Sequence, residues 1–157
     1  MKTTIGISDS NRKTVAAQLG ILLADEFVLY TKTLNAHWNI EGSDFHAIHL
    51  YFEELYEQSS ETVDSVAERI RQLGHYAPGT IKEFLGLTHL TEQLKGGNSS
   101  MDLIKNLLGD HESIIEFIRS NIKEFSDAHK DAGTSDFVTS LMEKHEKTAW
   151  MLRAHLK

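Results

Sequence analysis

Between Ser43 and Leu73, apolar residues return at Phe45, Ile48, Phe52, Leu55, Val63, Val66, Ile70 and Leu73. Steps of three, four and seven or eight are the period of one helical face, so the stretch reads as a single long helix. Ser43 is placed to cap it, Asp44 falls in its first turn, and Gly74 is placed to stop it. A second pattern lies on the same helix. His49 and Glu53 are four apart, and so are Asp64 and Glu68, which puts each pair on one face. At about 100° per residue the four share one stripe. Along the axis they fall into two clusters. Glu53 and Asp64 are separated by ~16 Å of helix, whereas metal–ligand bonds are about 2 Å. One straight helix therefore cannot hold one ion with both clusters.

Two copies of the helix can. Antiparallel across a twofold axis near Gln58 and Ser59, the His49/Glu53 cluster of one chain faces the Asp64/Glu68 cluster of the other, and the pairing makes two equal sites. The spacing alone also fits a plainer reading. The helix carries Glu54, Glu57 and Glu61 as well, and an acidic stripe is often only a solvated face. His37, just upstream, adds a further imidazole, and imidazole and carboxylate together suit iron, zinc or manganese.

The chain has 157 residues, enough for one domain with a sizeable core, 1–157, whose first seven residues read as a short flexible tail. It has no cysteine, which excludes disulfides and thiolate metal sites and leaves nitrogen and oxygen ligands. Its single proline, Pro78, suits a chain made mostly of long helices. The N-terminus lacks the apolar run of a signal peptide, and the longest apolar run, Ile21 to Ala24, is far too short to span a membrane. The expected location is cytoplasmic. A formal charge of −7 repels nucleic acid at long range and attracts cations.

Taken in order, the first helix is expected from Ser8 or Asp9 to His37 and Trp38, with Val15, Leu19, Leu22, Leu23, Phe27, Tyr30 and Leu34 inward. Asn39 to Gly42 is a tight connection, so the first two helices are antiparallel neighbours. His46, one turn before His49, reads as a surface histidine. Gly74 to Asn98 is too long for structureless chain in a compact domain. Thr80 and Glu83 form a capping-box pattern that predicts a short helix over 81–86. A link of this length can run the length of a bundle and reverse the usual alternation of helix directions. A helix follows after Asn98–Ser100, with Met101, Ile104, Leu107, Leu108, His111, Ile114, Ile115, Ile118, Ile122 and Phe125 on its inner stripe. A lone histidine there, His111, reads as a hydrogen-bonded core residue. Ser126 to Thr134 is a polar turn, and the last helix is expected from Ser135 to Leu156, with His145 inward and Asp136 capping its start. No repeat, phosphate-binding glycine loop or G-x-S-x-G motif is present.

The strings AHWN at 36–39, FHAIHLYFEELYE at 45–57, ETVDSVAERIRQLG at 61–74 and HEKTAWMLRAHL at 145–156 together resemble the Dps family, the DNA-binding proteins from starved cells, or mini-ferritins. The resemblance covers nearly the whole chain. It implies an all-α, ferritin-like four-helix bundle with a short extra helix in the long crossover between helices two and three. The family's ferroxidase pattern has two histidines twelve apart, a carboxylate four later, and D-x3-E eleven after that. His37, His49, Glu53, Asp64 and Glu68 match it position for position. One departure is Glu53, where the family's best-known pattern has Asp. By the same resemblance, His37, His49 and Glu53 ligate from one subunit and Asp64 and Glu68 from its twofold partner, with Glu68 bridging. It further implies Fe(II) oxidation with hydrogen peroxide, mineral stored in a hollow dodecamer, and acids near the last helix start, Asp136 and more weakly Asp131, lining threefold pores that admit iron. Zinc or manganese suits the same ligands. Trp38 would stand by the site as a radical scavenger.

The chain has no E-x-x-H, the motif of intrachain di-iron bundles, which favours the site between subunits. Two other readings stand beside it. One is a nucleoid-associated DNA-binding protein with little catalysis, against which the charge and the lack of a lysine-rich tail count. The other is a structural helical oligomer with a solvated acidic stripe.

Overall fold

The computed structural model describes residues 3–157 and consists of α1 (Asp9–Asn39), α2 (Phe45–Gln72), α3 (Ile81–Leu87), α4 (Ser100–Lys123) and α5 (Ala132–Ala154), with a π-turn over Glu124–Ala128. The four long helices form an up-and-down pair, α1 with α2, packed on a second pair, α4 with α5. Between the pairs the chain crosses the whole length of the bundle. Arg69 near the end of α2 meets Asp131 at the start of α5, whereas the Glu41 N–H donates to the Asn98 carbonyl at the opposite end. The link therefore returns the chain to its starting end, and α2 and α4 point the same way.

α1 is the central element, buried on most of its circumference. By length and composition it is apolar enough to cross a membrane, but most of that apolar window is buried in the bundle. The core is built from Leu19, Leu22, Leu23, Leu29, Phe52, Ile70, Leu73, Leu103, Ile104, Leu107, Ile114 and Ile118, all below 2% exposure. At roughly 1.5–3 kcal/mol per fully buried side chain, this cluster is the main source of stability.

The crossover is fastened to α1 at two points. Thr80 and Glu83 make the expected capping box at the start of α3, and Phe84 stacks on Phe27 with ring centroids 4.4 Å apart. Beyond α3 the buried Asp25 carboxylate accepts from the Thr88 hydroxyl and the His89 N–H, each at 2.7 Å. At the end of α2, Gly74 takes φ +88°. Its N–H donates to the Arg71 carbonyl and that of His75 to the Ile70 carbonyl, a Schellman ending. A Cβ at Gly74 would collide with the Thr3 side chain. Within the expected tail, Met1 and Lys2 lie outside the described residues. Thr3 packs on Gly74, and the Ile7 carbonyl accepts from Arg12 Nη1 at 2.5 Å.

Local expectations differ from what the fold adopts in several places. The N-cap of α2 is Asp44, not Ser43, and makes no side-chain capping bond. α5 begins at Ala132, three residues before Ser135, because Asp131 and not Asp136 is the cap, its carboxylate accepting from the Thr134 N–H at 2.9 Å. Between the helices, the expected polar turn is shortened by the π-turn that extends α4 to Ala128 and buries Phe125. Met101 is 41% exposed and lies off the core stripe.

Candidate functional site

His37 lies in the last turns of α1 and His49 in the second turn of α2, and the tight α1–α2 connection sets them face to face. The rings stack with centroids 3.8 Å apart and planes 20° apart. His37 Nδ1 is 2.9 Å from the His49 carbonyl oxygen, and His49 Nδ1 is 2.8 Å from the His37 carbonyl oxygen. A carbonyl only accepts, so each Nδ1 carries the hydrogen. In the neutral rings both Nε2 atoms then hold the free lone pair. This reciprocal lock fixes tautomer and ring orientation together, the arrangement that prepares an imidazole to ligate a metal.

Around the pair, Phe45 stacks on His49 at 4.9 Å and Tyr56 presents an edge contact to His37 at 5.1 Å. Glu53, one turn beyond His49, is half-buried. The Tyr56 hydroxyl is 3.4 Å from Glu53 Oε1, a weak contact. Desolvation, then the charges of Glu53 and Glu57, raise the Tyr56 phenol above its ordinary pKa, which keeps it a neutral donor. Tyr56 was not among the residues singled out from sequence, although its place three residues after Glu53 puts it on the same face.

Thus one chain brings His37, His49 and Glu53 to one region. Asp64 and Glu68 are exposed farther along α2, separated from Glu53 by ~16 Å of straight helix. Among the described residues, no group of three or more His, Asp or Glu side chains within one chain is arranged to hold a metal ion. The donor chemistry of the pair fits iron: two lone-pair imidazoles with a carboxylate one turn away.

The remaining candidates are dispersed. Trp38 is 67% exposed, and His46 is exposed. Asp131 is 2% exposed, accepts from Thr134 Oγ1 at 2.6 Å, and pairs with Arg69 Nη2 at 3.0 Å. Its carboxylate is committed to capping α5 and tying α5 to α2. Asp136 is exposed.

Comparison with known proteins agrees with this architecture. A family model described as a ferritin-like domain matches residues 16–157. An uncharacterized low temperature-induced protein of Nostoc sp. is 39% identical over 156 residues, 99% of this chain and 87% of that one. The DNA protection during starvation protein of Helicobacter pylori is 37% identical over 138 residues, 86% of this chain and 93% of that one. Among solved structures, the Dps protein of Vibrio cholerae, described as a member of a broad superfamily of ferritin-like diiron-carboxylate proteins, superposes with a TM-score of 0.92 at 28% identity, covering 100% of this chain and 98% of that one. A one-domain match to the ferritin-like model, relatives of this identity over nearly the full length, and the two-pair bundle with its helical crossover place this chain in the Dps family.

Proposed function

We propose that this chain is an iron-storing ferroxidase whose site is completed between twofold-related subunits. The observation that carries the reading is the reciprocal lock of His37 and His49, each Nδ1–H held by the other residue's carbonyl. Plain surface histidines have no need of it. Iron is the substrate. His37, His49 and Glu53 bind Fe(II) from one chain; Asp64 and Glu68 come from the partner, with Glu68 bridging. The carboxylates neutralise the cation and favour Fe(III), and open positions admit the oxidant. With hydrogen peroxide the balance is 2 Fe(II) + H2O2 + 2 H⁺ → 2 Fe(III) + 2 H2O, so both electrons come from iron and no hydroxyl radical is released. Fe(III) then hydrolyses to mineral inside a hollow dodecamer, and withdrawal of iron and peroxide protects DNA. The names of the relatives, DNA protection during starvation and ferritin-like diiron-carboxylate, support the general role.

The test is Fe(II) oxidation after anaerobic loading, started with peroxide and followed by absorbance, for the parent and His49→Ala at equal assembly mass. Fast oxidation in the parent with a near-background rate in the variant is expected. Equal rates would overturn the site.

A further inference from the structure

α2 and α5 do not close tightly on each other, and between them a cleft of about 460 Å³ reaches the middle of the bundle. Its floor takes one polar group from each of the four long helices: Glu26 (α1), Tyr51 (α2), His111 (α4) and His145 (α5). Glu26, His111 and His145 are 1%, 5% and 6% exposed. They are strung in a line. Glu26 Oε1 is 2.7 Å from His145 Nε2, and His145 Nδ1 is 2.8 Å from His111 Nδ1.

The line leaves atoms over. Among the described residues, five buried side-chain polar atoms lack a hydrogen-bond partner, and three of them are Glu26 Oε2, Tyr51 Oη and His111 Nε2. Buried polar atoms left unpaired cost about 1–3 kcal/mol each. Three in one cavity mark a place built to be filled.

We infer that this floor binds a divalent transition-metal ion of the zinc class, ligated by Nδ1 of His111 and Nδ1 of His145. Glu26 accepts the Nε2–H of His145 and holds that ring from behind, the outer carboxylate that metal-bound imidazoles ordinarily have. Two imidazole nitrogens on one tetrahedral zinc-class ion stand about 3.3–3.4 Å apart, so the present separation of 2.8 Å needs to open by about half an ångström as the rings tilt. The hydrogen on His111 Nδ1 shifts to Nε2 as the ion binds, so His111 ligates as the neutral Nε2–H tautomer and donates to a cleft water. Waters from the cleft complete the coordination, and Glu26 Oε2 and Tyr51 Oη receive those waters. Two ligands with an outer carboxylate form a different set from three converging His or carboxylate groups, and none of the latter kind occurs among the described residues. Burial, reinforced by His145, holds the His111 imidazole well below its ordinary pKa, in the neutral form that ligates. The site is independent of the His37/His49 pair: Glu26 and His37 are separated by ~16 Å along α1.

The deciding experiment is anomalous scattering at the zinc edge from crystals of the assembled protein soaked in Zn²⁺, with zinc content after dialysis measured in parallel. A peak at about 2 Å from both Nδ1 atoms is expected in the parent and in His49→Ala, and is lost in His145→Gln and His111→Gln. Each of those two variants should retain about one zinc per chain less than the parent. Helix content and assembly mass verify that they fold, and the parent crystal decides even if one does not. Water-level density at the floor, or peaks confined to the His37/His49 region, overturns the inference.

Discussion

Asp131 separates a structural acid from one that handles ions. It caps α5 through the Thr134 N–H, accepts from the Thr134 hydroxyl, and pairs with Arg69, whose Nε donates to the same hydroxyl at 2.9 Å. Removing an N-cap costs about 1 kcal/mol. Removing one partner of a buried pair costs about 3–5 kcal/mol, but the Arg69 side chain is 21% exposed and regains water, so about 2 kcal/mol is the better figure. Asp131→Ala is thus expected to lose about 3 kcal/mol, which for a chain of this size is roughly 6–12 °C in Tm. Asp131→Asn keeps a good cap and loses only the charge, for about 1–2 kcal/mol. Both are measured by circular dichroism on heating, at one protein concentration because assembly contributes to stability. A loss below about 0.5 kcal/mol in Asp131→Ala would refute the reasoning. The carboxylate would then be free at the surface, and its assignment to a pore would regain its ground. If acids at the start of α5 do line an iron-entry pore, Asp136→Asn is the substitution expected to slow iron uptake, with no comparable change in Tm.

Co-assembly tests the division of ligands between chains. His49→Ala and Glu68→Ala are each expected to be inactive alone, but random mixed assemblies recover about a quarter of the parent rate, because half the dimers are mixed and each carries one intact site. Recovery of nothing would place all the ligands in one chain. Phe84→Ala removes the ring stacked on Phe27 and should cost about 3–5 kcal/mol if α3 stays docked; a loss under 1 kcal/mol by denaturant titration would mean that the crossover is held by Asp25 alone. His111 sets an acid limit. Its folded pKa lies well below 6.5, so the unfolded chain takes the proton first. Stability from this group is whole above about pH 6.5 and falls by about 1.4 kcal/mol per pH unit as pH drops below it, until the folded pKa is reached. The group facing it, His145, and the Glu26 carboxylate behind His145 remain in His111→Gln, so a flatter stability–pH curve for that variant below pH 6.5 isolates the effect. Identical slopes would exclude it.

What the sequence made legible followed from periodicity and from short-range chemistry. The long apolar stripes of α2 and α4, the Thr80–Glu83 box and Gly74 as a stop all act within a turn or two of their own position, and they appear where expected except at the first turns of the two stripes, where Phe45 and Met101 are exposed. The start of α5 did not, because Asp131 and Asp136 are both adequate caps in isolation. The choice was made by Arg69, sixty-two residues away, and no local rule sees that far. The His37/His49 pair was marked by spacing, yet its decisive feature was not. That each ring holds the other residue's carbonyl depends on how tightly α1 turns into α2, which is a tertiary fact.

The bundle floor was hidden for the opposite reason. Asp25 and Glu26 interrupt the apolar stretch from Ile21 to Tyr30, and His111 and His145 sit on apolar stripes. Each alone reads as an exception to its helix. Only when α1, α4 and α5 pack do three exceptions become one line of hydrogen bonds beneath a cleft. Burying a carboxylate and two imidazoles is costly unless they compensate one another, and hydrophobic side chains would fill the same volume more stably. A polar group contributed by each long helix, with three atoms still unpaired, is therefore hard to explain by packing alone. The zinc experiment bears on that excess directly, since an ion with its waters supplies partners that the four helices do not.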